Sequence, residues 1–144
     1  MTTGASLSIY TDGASRGNPG AAAWAFVFVR DDTVVQTRSE YLGIATNNVA
    51  EYHAVINALA EARTYTGGAV TVYSDSELVV RQLTGRYRIR KEHLAALHRE
   101  VIRHAGAFAE VSFISVPRDH PYIRVADRLC NETLDRCAGG SRRR

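Results

Sequence analysis

Hydrophobic and polar residues alternate over residues 7–12, and this pattern predicts a β-strand that ends at Asp12. Leu7 and Ile9 fall on one face of the strand, whereas Asp12 falls on the other. Residues 13–20 then bring three glycines and an Asn-Pro pair, which are typical of turns and leave the backbone open to close approach. The pattern therefore predicts a carboxylate at a strand end, beside a turn that suits a polar ligand.

The later pattern changes from antiparallel strands to alternating strands and helices. Residues 21–30 and 33–42 form two apolar runs separated by Asp31 and Asp32, which predicts a hairpin and, with the first strand, an antiparallel meander. Downstream periodicity predicts helices at about residues 46–63, 76–83, 91–105 and 123–137, and strands at 69–74 and 110–116. The sequence therefore predicts an α/β fold with a mixed five-stranded sheet and helices packed on it.

The predicted strand at residues 69–74 repeats the sequence pattern of the first strand. It ends in Tyr-Ser before Asp75, as the first strand ends in Tyr-Thr before Asp12. If the two strands are parallel neighbours in matching register, both aspartates leave the same end of the sheet on the same face. Ligands of open α/β sheets bind at this end. The alternative is that each aspartate caps a turn or a helix.

Two more acidic residues stand beside apolar neighbours on predicted helices. Glu51 shares a helical lane with Val55 and Ala58, and Asp127 directly follows Ala126. A carboxylate that faces protein is costly unless it is paired, hydrogen-bonded or bound to a metal ion. The alternative for either residue is a favourable interaction with the positive end of its helix. Asp12, Asp75, Glu51 and Asp127 each lie at a predicted strand end or on a predicted helix beside apolar neighbours, and this favours a shared site.

A cluster of four carboxylates would offer only hard oxygen ligands. Such ligands suit Mg²⁺ or Mn²⁺, and the chain lacks the His and Cys spacing of a zinc site. Two such cations can stabilise the attacking and leaving oxygens of a displacement at phosphorus. No GxxxxGK[ST] loop is present, so the pattern favours a nucleic-acid phosphodiester as substrate. Three asparagines near the carboxylates are candidate contacts to sugars and base edges, namely Asn18, Asn47 and Asn48.

Length and composition indicate one domain. The chain has 144 residues, 45% of them hydrophobic, and its net charge of +3 equals the charge of the three arginines at residues 142–144. We therefore expect a domain at residues 1–138 followed by a short, disordered basic tail at 139–144. No 18-residue apolar run and no signal-peptide pattern occur, so we expect a cytoplasmic monomer without membrane contact.

Four motifs give the chain a clear resemblance to ribonuclease H type 1. They are Y-T-D-G-A-S-R-G-N-P-G at residues 10–20, A-T-N-N-V-A-E-Y at 45–52, Y-S-D-S at 73–76, and V-A-D-R-L at 125–129 with the asparagine at 131. The resemblance implies a ribonuclease H-like fold, with sheet order 3-2-1-4-5, the first three strands antiparallel and helices on both faces. It also implies sequence-independent endonucleolytic hydrolysis of the RNA strand of RNA–DNA hybrids, leaving 5′-phosphomonoesters.

The same resemblance implies roles for individual residues. Two Mg²⁺ ions, with Mn²⁺ as a substitute, would be held by the four acids that also serve catalysis, namely Asp12, Glu51, Asp75 and Asp127. The hybrid would be contacted by the backbone turn and by polar side chains, namely Gly13, Asn18, Asn47, Asn48 and Ser76.

The chain departs from the family pattern in two places. Members with a basic protrusion carry an extra helix and a cationic, Trp-containing segment, where this chain has only R-Y-R-I-R-K at residues 86–91. We therefore expect a compact form with weaker hybrid binding. The second departure is the loop before the last helix, where His120 is the candidate for the family's mobile catalytic histidine. Its spacing from Asp127 differs from the family pattern, and the alternative is a solvated loop histidine.

Other functions on the same fold remain as alternatives. A catalytically weak or inactive hybrid-binding domain is the first, and the presence of all four acids argues against it. An exonuclease or an integrase-type transferase is the second, and the T-N-N-x-x-E block at residues 46–51 argues against that. The sequence leaves the biological substrate open among primer RNA, R-loops, embedded ribonucleotides and duplex RNA.

Overall fold

A computed structural model describes residues 6–142 of the chain, with side chains described through residue 137. Along this part, five strands and four helices follow in the order β1 (Leu7–Gly17), β2 (Gly20–Arg30), β3 (Thr33–Ala45), α1 (Asn47–Ala62), β4 (Ala69–Ser74), α2 (Glu77–Leu83), α3 (Glu92–Ala105), β5 (Glu110–Ser115) and α4 (Pro121–Arg142). None of the described helices is long and apolar enough to cross a membrane.

The five strands form one mixed sheet in the order β3-β2-β1-β4-β5. β1 pairs antiparallel with β2, and β2 pairs antiparallel with β3. β4 lies parallel to β1 and to β5. The turn between β2 and β3 places Asp31 and Asp32 at positive φ, as a tight two-residue hairpin requires. The sheet order and the antiparallel meander predicted from the sequence are confirmed.

Helices cover both faces of the sheet, because each strand alternates its side chains between two apolar cores. On one face α1, α2 and α3 pack around Phe26, Phe28 and Ile9. On the other face α4 packs against Tyr10, Val27 and the neighbouring small residues of β2. The basic segment at residues 86–91 joins α2 to α3 and is mostly exposed, with its one isoleucine packed against the first core. The predicted fold class is therefore confirmed.

Strand β1 is longer than the sequence predicted, and Asp12 does not end it. β2 pairs with β1 as far as Gly17 opposite Gly20. The parallel pairing with β4 stops earlier, where Thr11 lies opposite Ser74. The prediction of a strand end at Asp12 is wrong because the antiparallel partner continues past it. Asp12 still follows directly on the last paired residue of the β1–β4 ladder.

Two other elements run past their predicted ends. β3 continues to Ala45, because its pairing with β2 extends to the end of the hairpin. α4 continues from the predicted end at Cys137 to Arg142, since each further helical residue adds one backbone hydrogen bond to an existing helix. It includes residues 139–142, where the sequence predicted a disordered tail. Residues 143–144 lie outside the described part of the chain, and their disorder stays a prediction.

Gly13 is the point where α1 comes closest to β1. A Cβ atom at this position would lie 2.4 Å from the carbonyl carbon of Ala50 and from the backbone nitrogen of Glu51. Backbone atoms in a helix cannot yield as a flexible side chain does. Only glycine therefore allows α1 to lie against β1 at this distance.

We expect Gly13→Ala to lower the free energy of unfolding by about 1–3 kcal/mol, because the added methyl group overpacks the contact between β1 and α1. Urea denaturation measures the change. Gly106→Ala is the matched control, since its Cβ would lie 3.4 Å from the Arg103 carbonyl oxygen at ordinary φ. The control should stay within about 0.5 kcal/mol of wild type. Equal effects of the two variants would contradict the close approach at Gly13.

Candidate active site

The parallel register of β1 and β4 brings two aspartates together. Tyr10 lies opposite Tyr73 and Thr11 opposite Ser74, so Asp12 and Asp75 follow the last pair of the ladder side by side. This is the arrangement that the repeated Tyr-x-Asp pattern predicted. Asp12 is 5% exposed, because it lies between two paired strands and beneath the start of α1. The site therefore begins at the carboxyl end of the parallel pair.

Helix α1 supplies the third carboxylate. The Thr46 hydroxyl accepts a hydrogen bond from the Val49 backbone N–H at 3.2 Å and so fixes the start of the helix. Glu51, Val55 and Ala58 share one lane of α1, and all three are buried, as predicted from the sequence. Glu51 lies in the early turns of α1 and is 8% exposed. The close approach permitted by Gly13 places this side chain beside the end of the β1–β4 ladder.

The three carboxylates form a compact cluster. One oxygen from each of Asp12, Glu51 and Asp75 lies within 4.8 Å of the others. Asp12 Oδ2 and Glu51 Oε1 are buried and, within the described part of the chain, make no hydrogen bond to protein. Buried anionic oxygens without partners are costly unless a cation or a hydrogen bond satisfies them. Hard oxygen donors in this arrangement fit a divalent cation such as Mg²⁺.

Burial and mutual repulsion make these carboxyls hold protons tightly. Burial, followed by repulsion from Asp75 and Asp127, raises the pKa of Asp12 to about 8. The pKa of Glu51 is raised well above its ordinary value by burial and then by repulsion from Asp12 and Asp75. Burial also raises the pKa of Asp75, and the Arg118 guanidinium opposes this rise. A bound cation would lower these pKa values, because it favours the ionised carboxylates.

The carboxylates face an open cavity of about 380 Å³. It is lined by residues from β1, α1, α4 and two loops, namely Asp12, Gly13, Ala14, Ser15, Asn47, Asn48, Glu51, Asp75, Ser76, Arg118 and Asp127. Asp127 reaches the cavity from α4 and is exposed, and it lies outside the compact group formed by the other three acids. The structure thus brings all four predicted acids to one cavity, with Asp127 at its open side.

Two of the three predicted asparagines, Asn18 and Asn47, are joined by hydrogen bonds beside the cavity. Asn47 Oδ1 accepts a hydrogen bond from the Ser15 backbone N–H at 2.9 Å. Asn18 Oδ1 accepts one from the Asn47 backbone N–H at 3.0 Å. Asn47 and Asn48 line the cavity, whereas Asn18 lies beyond its edge and reaches it through Asn47. Each bonded carbonyl oxygen holds its side chain in place and leaves the amide nitrogen as the donor for a ligand.

Ser76 and Arg118 are two further polar residues that line the cavity. Ser76 caps α2 by accepting a hydrogen bond from the Val79 backbone N–H at 3.3 Å, so its own hydroxyl hydrogen is available to a ligand. Arg118 Nε lies 3.6 Å from Asp75 Oδ2, and the arginine side chain is 92% exposed. Sequence reasoning missed Arg118. Its one signal was its place in a short loop between a predicted strand and the helix of Asp127.

His120 lies in the loop before α4, as the sequence indicated, and its catalytic role stays a prediction. It is absent from the residues that line the carboxylate cavity. Its Nδ1 accepts a hydrogen bond from the Tyr122 backbone N–H at 3.2 Å, and its ring stacks on Tyr10 with centroids 4.9 Å apart. The geometry therefore supports neither a mobile catalytic histidine nor a solvated one, because local contacts hold this half-buried ring.

Comparison with known proteins agrees with this geometry. A family model described as reverse transcriptase-like matches residues 10–133. Ribonuclease HI of Halobacterium salinarum is 38% identical over 133 residues, which cover 92% of this chain and 66% of that protein. The bifunctional protein Rv2228c of Mycobacterium tuberculosis is 38% identical over 132 residues, which cover 90% of this chain and 36% of that protein. The chain therefore spans only part of the length of these relatives.

Solved structures are similar over almost the whole chain. The N-terminal RNase H domain of Rv2228c has a TM-score of 0.88 and 35% identity, over 95% of this chain and 99% of that one. LC11-RNase H1, isolated from compost and solved in complex with an RNA/DNA hybrid, has a TM-score of 0.85 and 34% identity, over 92% and 99% of the two chains. By sequence, sheet order and these likenesses, the chain belongs to the ribonuclease H family, in its type 1 branch.

Proposed function

We propose that this protein hydrolyses the RNA strand of RNA–DNA hybrids at internal positions, leaving a 5′-phosphate and a 3′-hydroxyl. The observation that carries the proposal is the cluster of Asp12, Glu51 and Asp75, whose oxygens lie within 4.8 Å of one another and include two buried atoms without protein partners. The cluster opens into a cavity with asparagines along one side. The hybrid-bound structure of LC11-RNase H1 supports the choice of substrate.

The four acids would hold the metal ions beside the cavity that admits the reacting phosphate. Asp12 and Glu51 would be the buried ligands, Asp75 a half-buried ligand, and Asp127 the exposed ligand at the open side of the cavity. Two Mg²⁺ ions, with Mn²⁺ as a substitute, would supply Lewis acidity to the attacking water and to the leaving 3′-oxygen. The protein excludes water from the deep side of the cluster, because Asp12 and Glu51 are buried there.

The asparagines and their neighbours would recognise the hybrid. Asn47 and Asn48 line the cavity that contains the carboxylates, and Asn18 continues the same row of amides. Amide donors and the backbone at Gly13 suit contacts to sugar and base edges without a sequence requirement. The Ser76 hydroxyl faces the cavity from the other side. Sequence-independent cleavage follows from contacts of this kind.

A hybrid-binding domain without cleavage remains the second function to test. The exposed position of Asp127, outside the compact group of acids, is the one observation that favours it. A monomeric state and a cytoplasmic location also stay predictions. The biological substrate, whether primer RNA, R-loop, embedded ribonucleotide or duplex RNA, is the question that a substrate panel answers first.

We expect an RNA strand paired with DNA to be cut at several positions, and a DNA duplex of the same sequence to remain intact. The 2′-hydroxyl is both donor and acceptor, and it distinguishes RNA from DNA at a given site. A strand with a single ribonucleotide should be cut far more slowly than one with four or more in a row, because it offers fewer contacts. Product mapping on end-labelled duplexes with Mg²⁺ or Mn²⁺ measures this. Equal cleavage rates on the strand with a single ribonucleotide and on the strand with four or more would contradict the proposed grouping of substrate contacts beside the acids.

Asp12→Asn, Asp75→Asn and Glu51→Gln should each reduce cleavage by at least about 100-fold while leaving the fold intact, because each removes a charged ligand and little packing volume. Glu110→Gln is the matched control, since Glu110 is exposed at the opposite end of the sheet. Cleavage rates and circular dichroism spectra of the four variants decide the outcome. A cluster variant that cuts at the wild-type rate in Mg²⁺ would remove that residue from the site.

The stability of the metal-free protein should fall as the pH rises from about 4 to about 8. The pKa of Asp12 is about 8 in the folded protein and about 3.9 in an unfolded chain, so the folded state binds the proton more tightly. The stability that Asp12 contributes by holding this proton is therefore fully present below pH 4 and is lost as the pH rises through 8. Asp12→Asn should raise the free energy of unfolding by about 1–3 kcal/mol at pH 8 and change it little at pH 4.

Urea denaturation in EDTA at the two pH values tests this difference, with Glu110→Gln as the control. Saturating Mg²⁺ should stabilise wild type at pH 8 and should stabilise Asp12→Asn less, because binding to the folded state alone raises stability. A difference between wild type and Asp12→Asn that does not change with pH would contradict the assigned charge state of Asp12.

A further inference from the structure

The loop between β5 and α4 carries His120 in a defined position. Val116 N–H donates to the Ser74 carbonyl oxygen at 2.9 Å, and His120 N–H donates to the Pro117 carbonyl oxygen at 3.1 Å. These bonds tie the loop to the end of β4 at one side and close it into a turn at the other. Arg118 lies within this turn. The loop is therefore anchored on both sides of the arginine that faces Asp75.

His120 also begins α4. Its Nδ1 accepts a hydrogen bond from the Tyr122 backbone N–H at 3.2 Å, and its carbonyl oxygen accepts one from the Arg124 N–H at 2.9 Å. Pro121 follows as the first helical residue, where its missing N–H costs nothing. This is the geometry of an N-cap, in which a side-chain acceptor satisfies a free N–H of the first turn.

The imidazole ring is held by a stack of aromatic side chains. It lies on Tyr10 with centroids 4.9 Å apart and an interplanar angle of 27°. Tyr10 in turn stacks on Tyr73 at 4.6 Å and contacts Tyr122 at 5.0 Å. Tyr10 and Tyr73 are the paired residues of β1 and β4 that precede Asp12 and Asp75 by two positions. The ring is thus fixed to the same two strands that carry the buried acids.

We propose that His120 is a positioning residue, which docks the loop and the start of α4 onto the strands of the catalytic aspartates. Through this docking it holds Arg118 against Asp75 and sets the first turns of α4, which present Asp127 to the cavity. The proposal rests on the hydrolytic function proposed above. It is an alternative to the proton-transfer role that the family resemblance implies for His120, and the experiments below distinguish the two.

Three variants separate the parts of this role. His120→Asn keeps a cap acceptor and removes the imidazole, His120→Phe keeps an aromatic ring and removes the acceptor, and His120→Ala removes both. We expect the Asn variant to keep kcat within about threefold of wild type, with an unchanged pH–rate profile, because asparagine is among the best N-cap residues. The Ala variant should lose about tenfold or more in kcat, and the Phe variant should lie between the two.

Proton transfer predicts a different pattern. General acid–base catalysis contributes about 10²–10⁴-fold, so its loss would lower kcat by that factor in all three variants and would remove one limb of the pH–rate profile. That result would overturn the positioning role. Rescue by asparagine with an unchanged profile supports it, because a carboxamide cannot replace an imidazole as a proton carrier near neutral pH.

A double-mutant cycle tests the connection through Arg118. If His120 acts by placing this arginine, His120→Ala should cost less activity in an Arg118→Ala background than in wild type. Full additivity of the two effects would overturn that connection.

Amide hydrogen exchange tests the proposal without any cleavage assay. Protection of the Tyr122 N–H, followed by NMR, should fall about tenfold or more in His120→Ala and should be retained in His120→Asn. Unchanged protection in the Ala variant would overturn the N-cap. An inactive wild-type protein with the expected exchange pattern would instead refute the proposed function and leave the docking role standing.

Discussion

Mutual repulsion of three clustered carboxylates, two of them buried, is the constraint on which the rest of this structure depends. At 4.8 Å, two unit charges repel by about 3 kcal/mol at an effective dielectric constant of about 20. The unpaired buried oxygens of Asp12 and Glu51 add a cost of desolvation. The protein therefore needs rigid support around the cluster, since a flexible backbone would relax by moving the charges apart. The raised pKa values of these acids show that part of the cost is met by holding protons.

The support comes from the centre of the sheet and from the close contact of one helix. Asp12 is paired with Ala25 of β2 and directly follows the last pair of the β1–β4 ladder, so it cannot move without breaking the β1–β2 ladder. Gly13 lets the backbone of α1 approach to a distance that no side chain would permit, and this approach brings Glu51 to the aspartates. The alanines of α1 continue the close packing along the helix. The geometry of the cluster thus follows from small residues as much as from the acids themselves.

The sequence predicted the parts of the site that regular secondary structure positions. The repeated Tyr-x-Asp pattern predicted the register of Asp12 and Asp75, and the apolar lane of α1 predicted the burial of Glu51, because strand and helix periodicity fix which side chains share a face. It did not predict that β1 continues past Asp12, since pairing with β2 is a long-range contact. Arg118 was missed and the contacts of His120 were not predicted for the same reason, because loop contacts leave no periodic pattern.

The site accordingly has two halves that differ in how they are held. The half with the clustered acids lies at the centre of the sheet, where the β1–β2 ladder fixes Asp12, the packed helix α1 fixes Glu51, and Asp75 directly follows the β1–β4 ladder. The other half, with Arg118 and Asp127, depends on a loop and on the start of α4. A backbone hydrogen bond from Val116 to Ser74, the ring contacts of His120 and Tyr122 with Tyr10, and the packing of Ile123 and Ala126 in the second core connect this half to the strands. Arg118 itself is 92% exposed and meets Asp75 at 3.6 Å, and few contacts mean a lower free energy for local rearrangement. The structure therefore combines a rigid half that holds the clustered acids with an exposed arginine whose position depends on the loop that carries it.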